Sequence, residues 1–335
     1  MTRGYSLEQD LKLLINNPKY SDIEILCEDE KKLHGSRAIL AARSEVFEAL
    51  LYNGMKESYE NQISFPKINS SGMEIILEYI YTGSIKEEIL TKYNIIETYH
   101  AANYFQLSNL QDFIIKTVKN ALEKDYLENY SPELLSKVVD IMSLSEDNVI
   151  LNLLVEAVAI IPLSTIEFDR LSIAALQYLL TCTHEKEKPF ATPEYEVFRY
   201  SAILAAKQVS NDAYKILNEQ LPILEQVENS IQVKNELFTD HQKVAKELEP
   251  LTKFIDFNKI KGQILTDIIE PLEIVPSKII LDVYRKIAKS NSLDSCGFRG
   301  IPRTILYNNL FLSIYYYKED KRVLAYPKKN LKAFY

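Results

Sequence analysis

The scarcity of glycine limits the folds open to this chain more than any other feature of its sequence. Only 8 of its 335 residues are glycine. A fold made of many tight β-turns needs backbone positions with positive φ, which glycine supplies at little steric cost. The sequence therefore favours a mainly helical chain with a few short strands. Hydrophobic residues make up 47% of the chain, which is enough for a packed core, and the length suggests two domains.

The bulk properties also exclude several classes of protein. No apolar run reaches the roughly 18 residues that cross a bilayer, and the first residues lack the apolar stretch of a secretory signal. The three cysteines, Cys27, Cys182 and Cys296, are far apart and odd in number, as in proteins that keep their thiols reduced. We therefore expect a cytoplasmic protein, with the nucleus as the alternative compartment, and no membrane partner.

Charge is spread unevenly along the chain. The net charge is −8, and the last 37 residues carry eight basic against two acidic side chains, so residues 1–298 carry −14. An acidic body disfavours binding to nucleic acid, which requires a basic face. The charge distribution therefore predicts no nucleic-acid partner.

The first 122 residues predict short strands among helices. Residues 6–17 read as an amphipathic helix capped by Ser6 and ended by Pro18. Three strands are predicted at Ile23–Cys27, Lys32–His34 and Ile63–Phe65. Helices are predicted over residues 37–42, from Ser44 to Gly54, from Ser70 or Ser71 to Gly83, and around residues 93–105 and 110–122. This order indicates an α+β unit, a helical cluster with a small sheet.

Residues 21–122 resemble a BTB/POZ domain over about 100 residues. The resemblance lies in Ser21-Asp22-Ile23, in the block from Leu33 to Phe47 that contains LHGSRAILAARSEVF, in Met55-Lys56-Glu57-Ser58, and in LEYIYTG from Leu77 to Gly83. Gly35-Ser36 departs from the family pattern, and we expect only local packing to change there. The residues that match the structural motif are Asp22, His34, Arg43, Ser44, Phe47, Tyr81 and Gly83. His34 is interpreted as a structural hydrogen-bonding residue.

The rest of the chain has two parts. Ser131-Pro132-Glu133 is a helix start, with a cap, an early proline and an acid in the first turn. Residues 176–180 and 194–200 resemble the all-α BACK domain that often follows BTB, although the usual tryptophan is absent; helical repeats of another kind are the alternative. The tail alternates like a β-hairpin, from Leu310 to Tyr317 and from Arg322 to Tyr326. The predicted division is an N-terminal dimerisation helix (1–19), a BTB/POZ domain (20–122), a BACK-like helical domain (130–288) and a basic, tyrosine-rich tail (289–335).

The sequence supplies no constellation of catalytic residues. Cys182-Thr183-His184 brings together one cysteine and one histidine, and a zinc site needs four ligands or three with a water. The chain has no nucleophile elbow, phosphate-binding loop or dinucleotide fingerprint. We therefore predict no catalytic, cofactor-binding or metal-binding residues, and no cofactor. The tail tyrosines Tyr315–Tyr317 have strand spacing, and we interpret the nearby lysines as protection of the hairpin edges in preference to a base-stacking surface.

Two sets of residues are candidates for protein contacts. Leu7, Leu11, Leu14 and Ile15 form the apolar face of the first helix; they either pack on their own domain or form a homodimer interface, as the resemblance implies. In the ubiquitin-ligase adaptors that the chain resembles, a hydrophobic-x-Glu motif contacts the cullin scaffold. Here that motif is Met55-Lys56-Glu57, with Tyr52 and Asn53 on the same face; the alternative is that Met55 closes the core and Glu57 is solvated.

The sequence thus predicts a non-enzymatic adaptor that dimerises and links an unidentified substrate protein to a cullin-RING ubiquitin ligase, with cullin-three as the expected scaffold. The alternative is a self-associating scaffold or transcription-associated protein that binds no cullin.

Overall fold

The computed structural model describes residues 4–54, 56–124, 130–144, 147–185, 189–228, 239–290, 312–315 and 324–327. The elements of the first part are α1 (Leu7–Lys12), β1 (Ile23–Leu26), β2 (Lys32–Gly35), α2 (Arg37–Arg43), α3 (Glu45–Tyr52), β3 (Gln62–Ser64), α4 (Ser70–Thr82), α5 (Ile95–Tyr104) and α6 (Ser108–Lys124). Short 3-10 turns lie at Pro18–Tyr20, Lys56–Tyr59 and Glu87–Ile89.

The elements that follow are helical up to Ser290 among the described residues. They are α7 (Ser131–Ile141), α8 (Val149–Ala159), α9 (Ile173–Glu185), α10 (Glu194–Val209), α11 (Asn211–Gln220), α12 (Leu224–Glu228), α13 (His241–Thr252), α14 (Gly262–Ile264, continued by a π-turn, Leu265–Ile269) and α15 (Ser277–Ser290). Further 3-10 turns lie at Leu163–Thr165, Phe257–Lys259 and Glu270–Leu272. Two strands, β4 (Leu312–Tyr315) and β5 (Leu324–Pro327), end the described chain.

The chain divides into two compact units. The described residues of Met1–Val158 and Thr165–Leu179 make one, and those of Ala159–Ser164 and Leu180–Tyr335 make the other. The first unit contains a three-stranded sheet in the order β2-β1-β3. Strand β1 pairs antiparallel with β2 and parallel with β3. The mainly helical chain with a small sheet is therefore as predicted.

Alternation along β1 explains which face of the sheet meets the helices. Ile23 and Ile25 are buried, whereas Glu24 lies on the other face, where Lys32 of β2 binds it at 3.0 Å. Ile63 of β3 and Leu33 of β2 complete the buried face. The sheet therefore covers one side of a core whose other side is the helices.

Close approach of α4 and α5 sets the centre of this core. Gly72 lies in the first turn of α4, and a Cβ built on it would lie 2.6 Å from the carbonyl oxygen of Glu97 in α5. The helix backbones meet here because Gly72 has no side chain. Asn69 caps α4, and Gly83 ends it with a φ of +81° in the left-handed region, as the sequence predicts.

Two helix predictions need correction at their ends. The first helix ends at Lys12, not at residue 17; Ser6 caps it as predicted, and Leu13 to Asn16 form turns. Asn16 has a φ of +49°, outside the helical region, and its side chain accepts a hydrogen bond from the backbone of His34, so the chain leaves the helix to reach the sheet. Helix α7 begins at Ser131, so this residue is not the cap; Pro132 lies in the first turn, where its missing N–H costs nothing.

The second unit is organised around α10, in which every residue from Glu194 to Ala206 is buried. Helices α11 and α13 pack against it. In the tail, β4 and β5 pair antiparallel with Ile314 opposite Ala325. This pairing is the predicted hairpin; the turn between the strands lies outside the described residues.

Candidate functional site

The predicted motif residues connect the sheet to the helices through hydrogen bonds. Asp22, just before β1, accepts a hydrogen bond from the backbone N–H of Arg37 at 2.7 Å. It thus provides an acceptor for one of the N–H groups in the first turn of α2, which have no partner within the helix. The hydroxyl oxygen of Tyr81 accepts a bond from the N–H of Ser36 at 2.7 Å. Burial raises the pKa of the Tyr81 hydroxyl. These two contacts attach the start of α2 to both β1 and α4.

Arg43 and Ser44 make a second set of connections. The Nε of Arg43 donates to the carbonyl oxygen of Ile80 at 3.2 Å, near the C-terminus of α4, where a cation is favoured. Ser44 caps α3 by accepting from the N–H of Phe47 at 3.4 Å. The Phe47 ring stacks on Phe105 with centroids 4.5 Å apart. These hydrogen bonds and ring contacts form a structural network that links α2, α3 and α4.

His34 takes part in this network through its backbone. Its N–H donates to the side chain of Asn16 at 2.9 Å, and Glu24 of β1 is its partner in the sheet. These contacts involve only the main chain, so the interpretation of the His34 side chain as a structural hydrogen-bonding group stays a prediction. Gly35 is buried, and a Cβ there would lie 2.8 Å from Leu40, so its departure from the family pattern fits local packing, as expected.

The predicted docking residues lie on residues 52–61, the end of α3 and the segment that leads from it to β3, here called the α3–β3 connection. Tyr52, at the end of α3, is 57% exposed, and Asn53 and Lys56 are exposed beside it. Gly54 turns the chain with a φ of +75°. Glu57 is half-buried. Met55 lies outside the described residues.

Sequence reasoning missed Tyr59 on the same connection. This tyrosine is 84% exposed, although the preceding Ser58 and the following Glu60 are half-buried. The signal was an aromatic residue within a polar turn, and exposed tyrosines are enriched in protein interfaces. Lys56 and Glu60 form an exposed ion pair at 3.2 Å across this turn. The connection therefore presents two aromatic side chains, Tyr52 and Tyr59, with charged neighbours.

The predicted dimer face is divided in the structure. Helix α1 packs on α4 of its own unit, and Leu11, Leu14 and Ile15 are half-buried. Leu7, in contrast, is 76% exposed. Tyr5 and Leu13, which were not among the predicted residues, are also exposed. Part of the apolar face thus packs internally, and the part around Leu7 stays open to solvent.

The described residues contain neither a metal-binding cluster nor a membrane-spanning helix. No group of three His, Cys, Asp or Glu side chains is arranged to hold a metal ion within that part of the chain. None of its helices combines the length and apolar character needed to cross a membrane. A cavity of about 10 Å³ beside Glu194 has room for about one water molecule. Cys27 is buried, and burial raises the pKa of its thiol to about 11, which suppresses its reactivity.

Comparison with known proteins agrees with this network. The family model of the BTB/POZ domain matches residues 11–122, the stretch from the end of α1 to near the end of α6. Residues 11–122 form a BTB/POZ domain. The match begins within α1 and ends within α6, and it includes every motif residue described above.

Curated relatives share the BTB domain with this chain. BTB/POZ domain-containing protein 9 of Drosophila melanogaster is 33% identical over 122 residues, which are 36% of this chain and 17% of the relative. Kelch-like protein 6 of Homo sapiens is 31% identical over 119 residues, which are 36% of this chain and 18% of the relative. The alignments thus span less than a fifth of either relative. A solved structure, the BTB domain of human gigaxonin, has 21% identity and a TM-score of 0.26, and covers 35% of this chain and 96% of that chain.

Beyond the BTB domain, the segment with the BACK-like sequence forms buried polar contacts. Glu194 in α10 accepts a hydrogen bond from the N–H of Asp256 at 3.0 Å, and Glu196 accepts from the N–H of Leu224 at 2.5 Å. The Nε of Arg199 donates to the carbonyl oxygen of Leu221, the residue that follows α11, at 2.7 Å. These charged side chains therefore satisfy backbone groups of the surrounding turns, which accounts for their burial. The resemblance to BACK itself stays a prediction.

The BTB domain at residues 11–122 supports an adaptor-type role in protein–protein interaction. That the chain is a non-enzymatic adaptor stays a prediction.

Proposed function

We propose that this protein dimerises through the exposed part of α1 and links a substrate protein to a cullin-RING ubiquitin ligase, with the α3–β3 connection as the cullin contact. The observation that carries the proposal is the exposure of Tyr52, Lys56 and Tyr59 on a connection whose ends are held by α3 and the sheet. The expected location is the cytoplasm, with the nucleus as the alternative.

The chemistry of the α3–β3 connection supports a protein partner. Tyrosine offers a large contact area with two side-chain torsions to immobilise, and aromatic residues dominate the energetics of protein interfaces. The adjacent Lys56 and Glu57 supply charges of both signs, which select the orientation of a partner more than they add affinity. The connection therefore has an apolar anchor and a polar periphery, as in many interfaces.

The open part of α1 supports self-association. Tyr5, Leu7 and Leu13 are large apolar side chains within nine residues, and all three are exposed. Contiguous exposed apolar side chains mark interaction surfaces on soluble domains. A two-fold interface between two α1 helices would bring the same residues together from both copies.

The proposed mechanism involves no chemistry by this chain. An adaptor raises the effective concentration of a bound substrate beside the ligase, and a dimer with two substrate sites increases avidity. The substrate is unidentified; its contact surface lies outside the α3–β3 connection in this proposal.

Calorimetric titration of a cullin N-terminal domain with the purified full chain tests the proposal. We expect micromolar or tighter binding, and loss of binding in the Met55→Ala/Glu57→Lys variant. Glu249→Lys is the matched control, because it makes the same charge change at an exposed position of α13. Failure of the folded wild-type protein to bind cullin would reject the ligase role. It would favour the self-associating scaffold, which needs only the proposed dimer contact through α1.

A further inference from the structure

Arg37 reaches from the first turn of α2 to the α3–β3 connection. Its Nη1 donates to the carbonyl oxygen of Ser58 at 3.1 Å, and its Nη2 donates to the carbonyl oxygen of Glu60. These two carbonyls lie on either side of Tyr59, the most exposed aromatic side chain of the connection. One guanidinium group therefore fixes the backbone before and after Tyr59.

Arg37 is itself held in place. Its backbone N–H donates to Asp22 at 2.7 Å, and the N–H of Asp22 donates to the carbonyl oxygen of Gly35 at 3.1 Å. The C-terminal end of the connection meets the same region of the sheet, because Glu24 of β1 donates to the carbonyl oxygen of Asn61 at 2.8 Å. Arg37 thus spans two segments that are both attached to β1.

A third contact holds the other end of the connection. The hydroxyl of Ser58 donates to the carbonyl oxygen of Leu50 in α3 at 3.2 Å. The half-buried Ser58 is consequently bonded through its side chain to α3 and through its carbonyl to Arg37. The segment from Ser58 to Asn61 therefore contacts α2, α3 and β1.

We infer that Arg37 is a positioning residue for the α3–β3 connection, which orders the backbone around Tyr59 so that this side chain meets a partner without a further ordering cost. A planar guanidinium can bond two carbonyl oxygens at once, whereas the compact ammonium of lysine does not reproduce that fork. Ordering a surface segment before binding removes an entropy cost from association. The role in recognition rests on the proposed cullin contact; the ordering of the connection does not.

The test compares wild type with Arg37→Lys and Arg37→Gln by hydrogen exchange and by binding. We expect backbone amides of residues 57–61 to exchange about tenfold faster in both variants, since each loses hydrogen bonds from a charged group. Amides of α10 and the thermal midpoint of unfolding should stay unchanged. Arg285→Lys is the matched control, because Arg285 is exposed and pairs with Asp282 one helical turn away. Arg37→Lys, which keeps the charge, provides the measurement if Arg37→Gln does not fold.

The binding arm measures affinity and dissociation rate for the cullin N-terminal domain. Faster exchange together with about tenfold weaker binding, expressed mainly in the dissociation rate, supports the inference. Unchanged exchange in both variants overturns it, whatever the cullin result. Faster exchange with undiminished affinity overturns the role of Arg37 in recognition. Faster exchange in a protein whose wild type binds no cullin supports the ordering role and rejects the proposed function, so the two failures are distinct.

Discussion

Replacement of Gly72 by alanine tests the closest contact in the core of the BTB domain. The added Cβ would lie 2.6 Å from the carbonyl oxygen of Glu97 and 2.8 Å from its carbonyl carbon. The first distance is 0.8 Å shorter than the 3.4 Å at which ordinary contact begins. Both atoms belong to the backbone of α5, so no side-chain rotation relieves the overlap, and the two helices must move apart.

The expected size of the effect follows from two opposing contributions. Overpacking of a close-packed core costs about 1–3 kcal/mol. Alanine in place of glycine stabilises a helix by up to about 1 kcal/mol, which offsets part of that cost. We therefore expect Gly72→Ala to destabilise α4 and α5 by about 1–2 kcal/mol, or roughly a 5- to 30-fold increase in exchange of their most protected amides.

Native-state hydrogen exchange is the appropriate assay, because two compact units need not unfold together. Gly54→Ala is the contrasting variant: nothing lies within 4 Å of its added Cβ, and its φ of +75° makes strain the cost. Asparagine tolerates positive φ, so Gly54→Asn should be more stable than Gly54→Ala. At Gly72 the larger side chain increases the overlap with α5, so Gly72→Asn should be less stable than Gly72→Ala. An alanine variant at Gly72 that is as protected as wild type in α4 and α5 would refute the close approach.

Three further predictions concern other groups in the structure. Tyr81→Phe removes the acceptor from the N–H of the half-buried Ser36 and should cost about 1 kcal/mol in unfolding free energy, measured by urea denaturation; an effect below about 0.3 kcal/mol would contradict that bond's importance. Burial raises the pKa of Glu196 above its ordinary 4.5, although the N–H of Leu224 and a nearby arginine lower it. The pKa of Glu196 is therefore higher in the folded protein than in the unfolded chain. The neutral carboxyl contributes its full stability below the unfolded-state pKa, and this contribution is lost as the pH rises through the folded-state pKa. Glu196→Gln keeps an acceptor for Leu224 and removes the charge, so its denaturation midpoint should lose this pH dependence; parallel wild-type and variant profiles would contradict the assignment. Cys27, buried and with its pKa raised to about 11, should resist iodoacetamide at pH 8 until the protein unfolds, as read by peptide mass spectrometry; rapid labelling of native Cys27 would show that it is accessible.

Much of the BTB domain could be predicted because its local signals agree with its tertiary contacts. Ser44 has the chemistry of a helix cap and caps α3, and Gly83 has the freedom that the end of α4 requires. The first helix was predicted too long because its apolar spacing continues past Lys12. The periodicity does not report that Asn16 leaves the helix to bind the backbone of His34.

The candidate site was predictable only in part. The resemblance to ubiquitin-ligase adaptors, through Met55 and Glu57, points to the α3–β3 connection. The exposure of Tyr59 depends instead on the hydrogen bonds that the backbone on either side of it makes to distant residues. The contacts of Arg37 with Ser58 and Glu60 span more than twenty residues of sequence, and no local pattern encodes them. The exposure of Leu7 could not be predicted from a local pattern either. The helical repeat identifies the apolar face of α1, but the packing of α1 on α4 decides which part of that face is covered and which part stays exposed.

The mass of the complex formed with a cullin N-terminal domain tests the central claim most directly. Light scattering after size-exclusion chromatography measures whether the 38.7 kDa chain is a dimer and whether each copy holds one cullin domain. We predict a particle with two chains and two cullin domains, and a Leu7→Asp variant that binds one cullin domain as a monomer. A wild-type protein that elutes apart from cullin at micromolar concentration would contradict the adaptor account.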